Sequence, residues 1–152
     1  LEQMFNGVEW GELDYLIIDL PPGTGDVQLT LAQNSKLSGS IIISTPQEVA
    51  LIDVRKGMNM FNKVNVPILG IVENMSYFIC DSCNQMHEIF SSGNVKKEAE
   101  KFKIDFLGKL PINKNLRIQS DEGTPACIAD PNGDIANVFS SIAQAVHKKL
   151  TN

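Results

Sequence analysis

The sequence predicts an α/β fold, a mostly parallel sheet with helices on both faces. Three observations lead there. Short apolar runs recur at residues 14–20, 40–46, 67–74 and 105–111. They are continuous, as strands are when both of their faces are covered. Between them lie stretches with the i, i+3, i+4 spacing of buried helical faces. Such alternation of strand and helix builds parallel sheets with right-handed crossovers.

Taken in order, D-Y-L-I-I-D-L (14–20) is the first expected strand. Asp26 then caps a helix to about residue 35, with Val27 and Leu31 one turn apart. S-I-I-I-S-T-P (40–46) is the second strand and passes into a helix through T-P-Q-E. There Thr45 is the expected N-cap, Pro46 the first helical residue and Glu48 the partner in a capping box. Leu51, Val54, Met58 and Phe61 give that helix one buried face. P-I-L-G-I-V-E-N (67–74) is the third strand, and Val95, Ala99 and Phe102 mark a short helix. D-F-L-G-K-L-P (105–111) is the fourth strand. Residues 113–131 read as mostly irregular, with a helical turn near Leu116. Residues 134–150 form a last amphipathic helix, with Ile135, Val138, Phe139, Ile142 and Val146 toward the core and Lys148 and Lys149 at its negative end. Residues 75–93 fall outside the rhythm and have the length of an inserted functional loop.

At 152 residues the chain suffices for one domain with its own core. A net charge of −5 gives no basic footprint for nucleic acid, so no nucleic-acid partner is expected. No apolar run approaches the roughly 20 residues of a membrane span, and no membrane association is expected. The chain opens on Leu1, and residues 1–11 read as a helix end and a connecting loop, so a piece of a longer chain is expected. Two of the three cysteines stand in C-x-x-C, which fits metal or redox use in a reducing compartment better than a disulfide framework. A cytoplasmic location, or an organelle matrix, is the expectation.

Three places carry candidate chemistry. The first is Asp19 with Gly23, Thr24, Gly25 and Asp26. A carboxylate at a strand end holds Mg²⁺ through water, and glycines let backbone N–H groups approach a phosphate. A strand-end acid followed by a Pro-Gly turn is an equally good reading of those residues. The pattern G-x-x-x-x-G-K-[ST] that cradles phosphates occurs nowhere; Gly108-Lys109 is followed by Leu110.

The second place is Cys80-Asp81-Ser82-Cys83, half of a tetrahedral thiolate site. His87 or Cys127 can complete it, or a symmetric dimer can supply four thiolates across a two-fold axis. A zinc knuckle, a thioredoxin-like dithiol and two inert thiols are the competing readings. Cys127 itself reads as a small buried hydrophobe. The third place is Asn74, whose amide can read a purine edge or make a local turn bond.

Together, WGELDYLIIDLPPGTGDVQLTL, STPQEVALIDVRKGMNMF, GIVENMSYFICDSC and LGKLPI resemble the Mrp/ApbC proteins, from about Val8 to the C-terminus. These are iron–sulfur cluster carriers and P-loop ATPases related to MinD. The resemblance implies a MinD-like P-loop NTPase architecture with its N-terminal strands missing. The chain is then a single partial domain (1–152) with a metal- or cluster-binding loop inserted at 75–93. It implies a homodimer that binds a labile [4Fe–4S] cluster between subunits and passes it to apo iron–sulfur client proteins, with ATP and Mg²⁺ in the intact protein. Zn²⁺ is the alternative occupant, in a MinD-like ATPase that acts on partner proteins and uses a structural knuckle.

By the same resemblance Asp19 corresponds to the Walker B acid and Gly23, Thr24 and Gly25 to the switch that senses the γ-phosphate. Asn74 corresponds to the adenine-contacting amide, with Pro111 near the base, and Cys80 and Cys83 to the cluster ligands. The acidic turn at Asp121-Glu122-Gly123-Thr124-Pro125 also matches. The family's Walker A loop belongs to a strand expected beside residues 14–20. Without it the sheet is expected to expose an edge and apolar surface, so that the chain self-associates or is marginally stable.

Overall fold

The computed structural model describes residues 7–21 and 23–151. The expected helix end within 1–6, and Pro22 of the Pro21-Pro22 pair, lie outside them. The elements are α1 (Asp26–Asn34), β1 (Ser40–Ser44), α2 (Glu48–Lys63), β2 (Ile68–Glu73), β3 (Phe78–Ile79), β4 (Met86–His87), α3 (Asn94–Phe102), β5 (Phe106–Lys109), α4 (Lys114–Asp121), α5 (Ala126–Ala129) and α6 (Asp134–Thr151).

Three of the four apolar runs form the sheet. Its order is β1-β2-β5, all parallel, with β2 in the centre. β2 is accordingly buried along almost its whole length, whereas β1 alternates. Ile42 and Ile71 face a core completed by Leu51, Met58 and Phe61 of α2 and by Val95 and Ala99 of α3. The opposite face is covered by α6, whose Val138 and Ile142 lie over Gly108 of β5. A Cβ at Gly108 would stand 3.2 Å from Ile142, so the small residue sets how closely helix and strand approach. On this second face β1 leaves Ile41 and Ile43 40% and 56% exposed. The α/β fold with a parallel sheet and helices on both faces is therefore present.

Several local expectations are corrected. Residues 14–20 are not a strand: they pair with no other described segment, and Ile17 is 88% exposed. An apolar run becomes a buried parallel strand only where neighbours satisfy its backbone groups and helices cover its faces. Here the run lies on the surface. Tyr15 meets His147 of α6 edge-on, its hydroxyl 2.5 Å from Nδ1, and Leu20 packs on the core. Asp26 is not a cap; Gly25 is the N-cap of α1, and Asp26 sits in the first turn, where its charge suits the helix dipole. The N-cap of α2 is Gln47, not Thr45, and Pro46 precedes the helix; the Thr45 hydroxyl donates to the Gln47 side chain at 2.9 Å and caps no backbone N–H. Residues 113–131 are not mostly irregular. Asn113 caps α4 by accepting from the Leu116 N–H, and α5 follows the Gly123 turn. Cys127 is exposed on that short surface helix and is not a core residue.

Candidate functional site

The carboxyl edge of the sheet organises the site. β2 ends in Glu73, and its pairing with the β5 side continues past both strand ends. Leu110 donates its N–H to the Glu73 carbonyl at 2.8 Å, Ser76 to Leu110 at 2.9 Å and Ile112 to Tyr77 at 2.7 Å. The Asn74 N–H is taken by Ser44 of β1 at 2.7 Å. Asn74 and Pro111 thus sit on adjoining strand ends. Met75, at φ 55°, turns the chain through the left-handed region. The Asn74 Oδ1 accepts from the Met75 N–H at 2.9 Å, the local bond expected of a strand-terminating asparagine. Its Nδ2 keeps both donors, with no partner among the described residues.

The chain then enters an antiparallel hairpin, with Phe78 opposite His87 and Ile79 opposite Met86. Its tip is the cysteine turn, closed by Cys80 N–H to the Gln85 carbonyl at 3.0 Å and Asn84 N–H to the Cys80 carbonyl at 2.8 Å, with Asn84 at φ 56°. Cys80 is half-buried, Cys83 is exposed, and both are free. The backbone N–H groups of Ser82 and Cys83, followed by the Cys83 thiol, donate toward the Cys80 sulfur and hold its pKa below the ordinary thiol value. Burial and the Asp81 charge oppose them more weakly. Cys80 is therefore biased toward the thiolate, the form that ligates metal, relative to an ordinary thiol. Among the described residues no three His, Cys, Asp or Glu side chains come close enough to hold a metal ion, so neither His87 nor Cys127 joins the pair.

The other sequence candidates lie elsewhere. Asp19, Gly23, Thr24 and Gly25 are all exposed. Thr24 lines an open cleft of about 250 Å³ with Lys56, Asn59 and Lys63 on the C-terminal half of α2. Since α2 runs antiparallel to the strands it connects, that half points toward the amino edge of the sheet, away from Asn74 and Pro111.

One residue escaped the sequence reading. Glu73 is fully buried at the end of β2; the Ser76 hydroxyl donates to its Oε1, and Lys109 Nζ stands 4.0 Å away. Its Oε2 is buried without a hydrogen-bond partner among the described residues. The available signal was an acid inside an apolar run, with a Ser three residues on.

The ParA family model, described as the NUBPL iron-transfer P-loop NTPase, matches residues 1–147. The chain belongs to this family. It is 46% identical over 150 residues to the Arabidopsis thaliana "Iron-sulfur protein required for NADH dehydrogenase, mitochondrial", covering 99% of this chain and 48% of that protein. It is 47% identical over 150 residues to the Escherichia coli (strain K12) "Iron-sulfur cluster carrier protein", covering 99% of this chain and 41% of that protein. The chain thus spans about half the length of the curated relatives it matches. A solved nucleotide-binding protein from Archaeoglobus fulgidus, in complex with ADP and with Co found, superposes with a TM-score of 0.67 at 47% identity. That match covers 75% of this chain and 47% of the other. The cell division ATPase MinD of Pyrococcus furiosus, at 21% identity and a TM-score of 0.56, shares the fold. Among the described residues no helix is long and apolar enough to cross a membrane.

Proposed function

We propose that this chain is the cluster-bearing part of an iron–sulfur cluster carrier. The observation that carries the reading is the hairpin tip, where two free thiols stand one turn apart and one is held toward its thiolate form. The relatives named as cluster carriers support it. The cluster is cargo. Since one chain offers two thiolates and no third ligand among the described residues, we assign Cys80 and Cys83 of each of two copies to a [4Fe–4S] cluster in a homodimer. The exposed Ile79, Met86 and Ile89 beside the turn supply apolar surface for that contact. Delivery to an apo-protein is thiolate exchange. A client thiolate forms a new Fe–S bond as a Cys80 or Cys83 thiolate leaves. The client's thiol proton passes to the departing sulfur or to solvent, and no net oxidation is required. A reducing compartment, the cytoplasm or an organelle matrix, suits three free cysteines.

Nucleotide is a separate question of fit. The family resemblance gives Asn74 and Pro111 the base end of ATP, and the Asn74 Nδ2 has no partner among the described residues. The phosphate end does not fit these 152 residues, which contain no G-x-x-x-x-G-K-[ST]. The family resemblance gives Asp19, Gly23, Thr24 and Gly25 the Mg²⁺ and phosphate end, but Thr24 lies against the half of α2 that points away from Asn74 and Pro111, so these residues do not form one nucleotide site with them here and no step is routed through ATP.

Anaerobic reconstitution with ferrous iron and sulfide tests the reading. The expected product is brown and oxygen-sensitive, with about two irons per chain, and is lost in Cys80→Ser and Cys83→Ser. About one iron per chain would indicate a [2Fe–2S] cluster. Tight colourless Zn²⁺ without iron uptake would overturn the carrier reading in favour of a structural knuckle.

A further inference from the structure

The return limb of the cysteine hairpin, from Glu88 to Gly93, holds a strained residue. Ser91 lies at φ 143°, a region that glycine alone adopts freely. Such a residue persists only where its surroundings hold it. Here the hold comes from Asn94. The N-cap of α3 is Gly93, and no side chain caps the helix. Asn94, the first helical residue, turns both of its amide donors backward instead. Nδ2 donates to the Pro46 carbonyl at 3.2 Å and to the Ser91 hydroxyl at 3.0 Å. Among the described residues no other hydrogen bond joins residues 88–93 to the sheet or to α2; Ser92 bonds Glu88, within the limb itself.

The outgoing limb is tied to the same place. Asn74 gives its N–H to the Ser44 carbonyl at 2.7 Å. Both ends of the segment that carries Cys80 and Cys83 are thereby fastened to the turn between β1 and α2, where Pro46 is fully buried. A loop held at one end pivots. Held at both ends on one buried turn, it presents its tip in one direction. The helix α3 has a separate tie to α2, from Arg55 to Glu98 at 2.7 Å. Loss of the Asn94 amide therefore frees the limb and leaves the helix in place.

We propose that Asn94 is a positioning residue for the cluster thiols: its amide holds the strained Ser91 and pins the return limb of the cysteine hairpin to the β1–α2 turn. It acts through the limb and not on the sulfurs. What it sets is the direction of the hairpin. With that it sets where Ile89 and Phe90, the exposed apolar residues of the limb, meet a second copy. Four thiolates gathered across a two-fold axis tolerate little error, because a tilt in one hairpin is repeated in the other. The inference rests on the reading of Cys80 and Cys83 as cluster ligands given above.

The test uses the longest polypeptide encoded around this sequence, reduced and metal-free, and reads backbone order parameters from ¹⁵N relaxation. In the wild type the amides of residues 86–92 are expected near the rigid value of about 0.85. In Asn94→Ala they should fall below about 0.6, while those of α3 stay near about 0.85. Adding Ser91→Gly, which accepts φ 143° without strain, should return the limb toward about 0.85. Asn94→Asp separates this role from one in starting α3. Its carboxylate favours the first turn of the helix but has no donor for Pro46, so the limb should loosen all the same. Where Asn94→Ala fails to fold, Asn94→Asp decides. An unchanged limb in either variant, loosening that spreads through α3, or no recovery with Ser91→Gly overturns the proposal. After anaerobic reconstitution, Asn94→Ala should also lose iron to a chelator about fivefold faster than wild type, with recovery in the double variant, and an unchanged rate overturns the proposal. A wild type that takes up no iron would sink the carrier reading, whereas the order parameters, measured without metal, still decide whether Asn94 pins the limb.

Discussion

Replacing Ser76 with alanine removes one hydrogen bond, and the structure says how much that should matter. The acceptor is a fully buried carboxylate whose other oxygen has no partner among the described residues and whose nearest ammonium is 4.0 Å away. A hydrogen bond to a charged group contributes about 1.5–3 kcal/mol net. Here its loss leaves both oxygens without a hydrogen bond, so the upper part of that range applies, about 2–3 kcal/mol. At about 2–4 °C per kcal/mol for a chain of this size, the melting point should fall by roughly 4–12 °C. Urea unfolding followed by circular dichroism should show a lower midpoint with an unchanged slope. In the Glu73→Gln background the same substitution should cost at least about 1 kcal/mol less, since the charge that needed the hydroxyl is gone. A Ser76→Ala protein within about 0.5 kcal/mol of the wild type, or a strictly additive cycle, would refute the reasoning.

Four further outcomes are expected. Alkylation of Cys80 should titrate at lower pH than an ordinary thiol, falling off only as pH drops through its depressed pKa; Asp81→Asn should move the midpoint lower still, because the Asp81 charge raises it. The Arg55 hydrogen bond, which outweighs burial, holds the Glu98 carboxyl below the usual carboxylate range. Its contribution is therefore present above the ordinary glutamate pKa and lost as pH falls through the depressed one, so the difference in urea midpoint between wild type and Glu98→Gln should shrink between pH 7 and pH 3. Leu51→Ala, at a residue 1% exposed, should cost about 2–5 kcal/mol, whereas Val49→Ala on the solvent side of the same helix, 72% exposed, should stay within about 0.5 kcal/mol. Ile41→Lys with Ile43→Lys should reduce self-association seen by light scattering, and a wild-type chain that melts reversibly as a monomer would contradict the expectation of exposed apolar surface.

The sheet was legible where a run meets its partners within the chain. The runs at 40–46, 67–74 and 105–111 became β1, β2 and β5, and the Leu51, Met58 and Phe61 spacing marked the buried face of α2. The run at 14–20 looked the same locally and failed, because periodicity reports a segment's readiness to be buried and not the presence of something to bury it. Local hydrogen-bond competition hid the caps: nothing in T-P-Q-E showed that the Thr45 hydroxyl would donate to the Gln47 side chain and cap no backbone N–H. The cysteine pair was visible from spacing alone, but its hairpin was not, since strands of two residues carry no periodic signal. Glu73 was hidden for another reason. Its partners, Ser76 and Lys109, converge only once β2 and β5 are in register, and that register contains a shift next to Ile71.

The closeness of the Cys83 thiol to the Cys80 sulfur has a consequence for handling the protein. A thiol biased toward thiolate reacts readily with peroxide, and a second sulfur within reach captures the sulfenic acid that forms. Prepared in air, the hairpin should close on itself as a disulfide and take up neither iron nor zinc until reduced. Its metal content after aerobic purification would then report the oxidation history of the sample and say little about affinity.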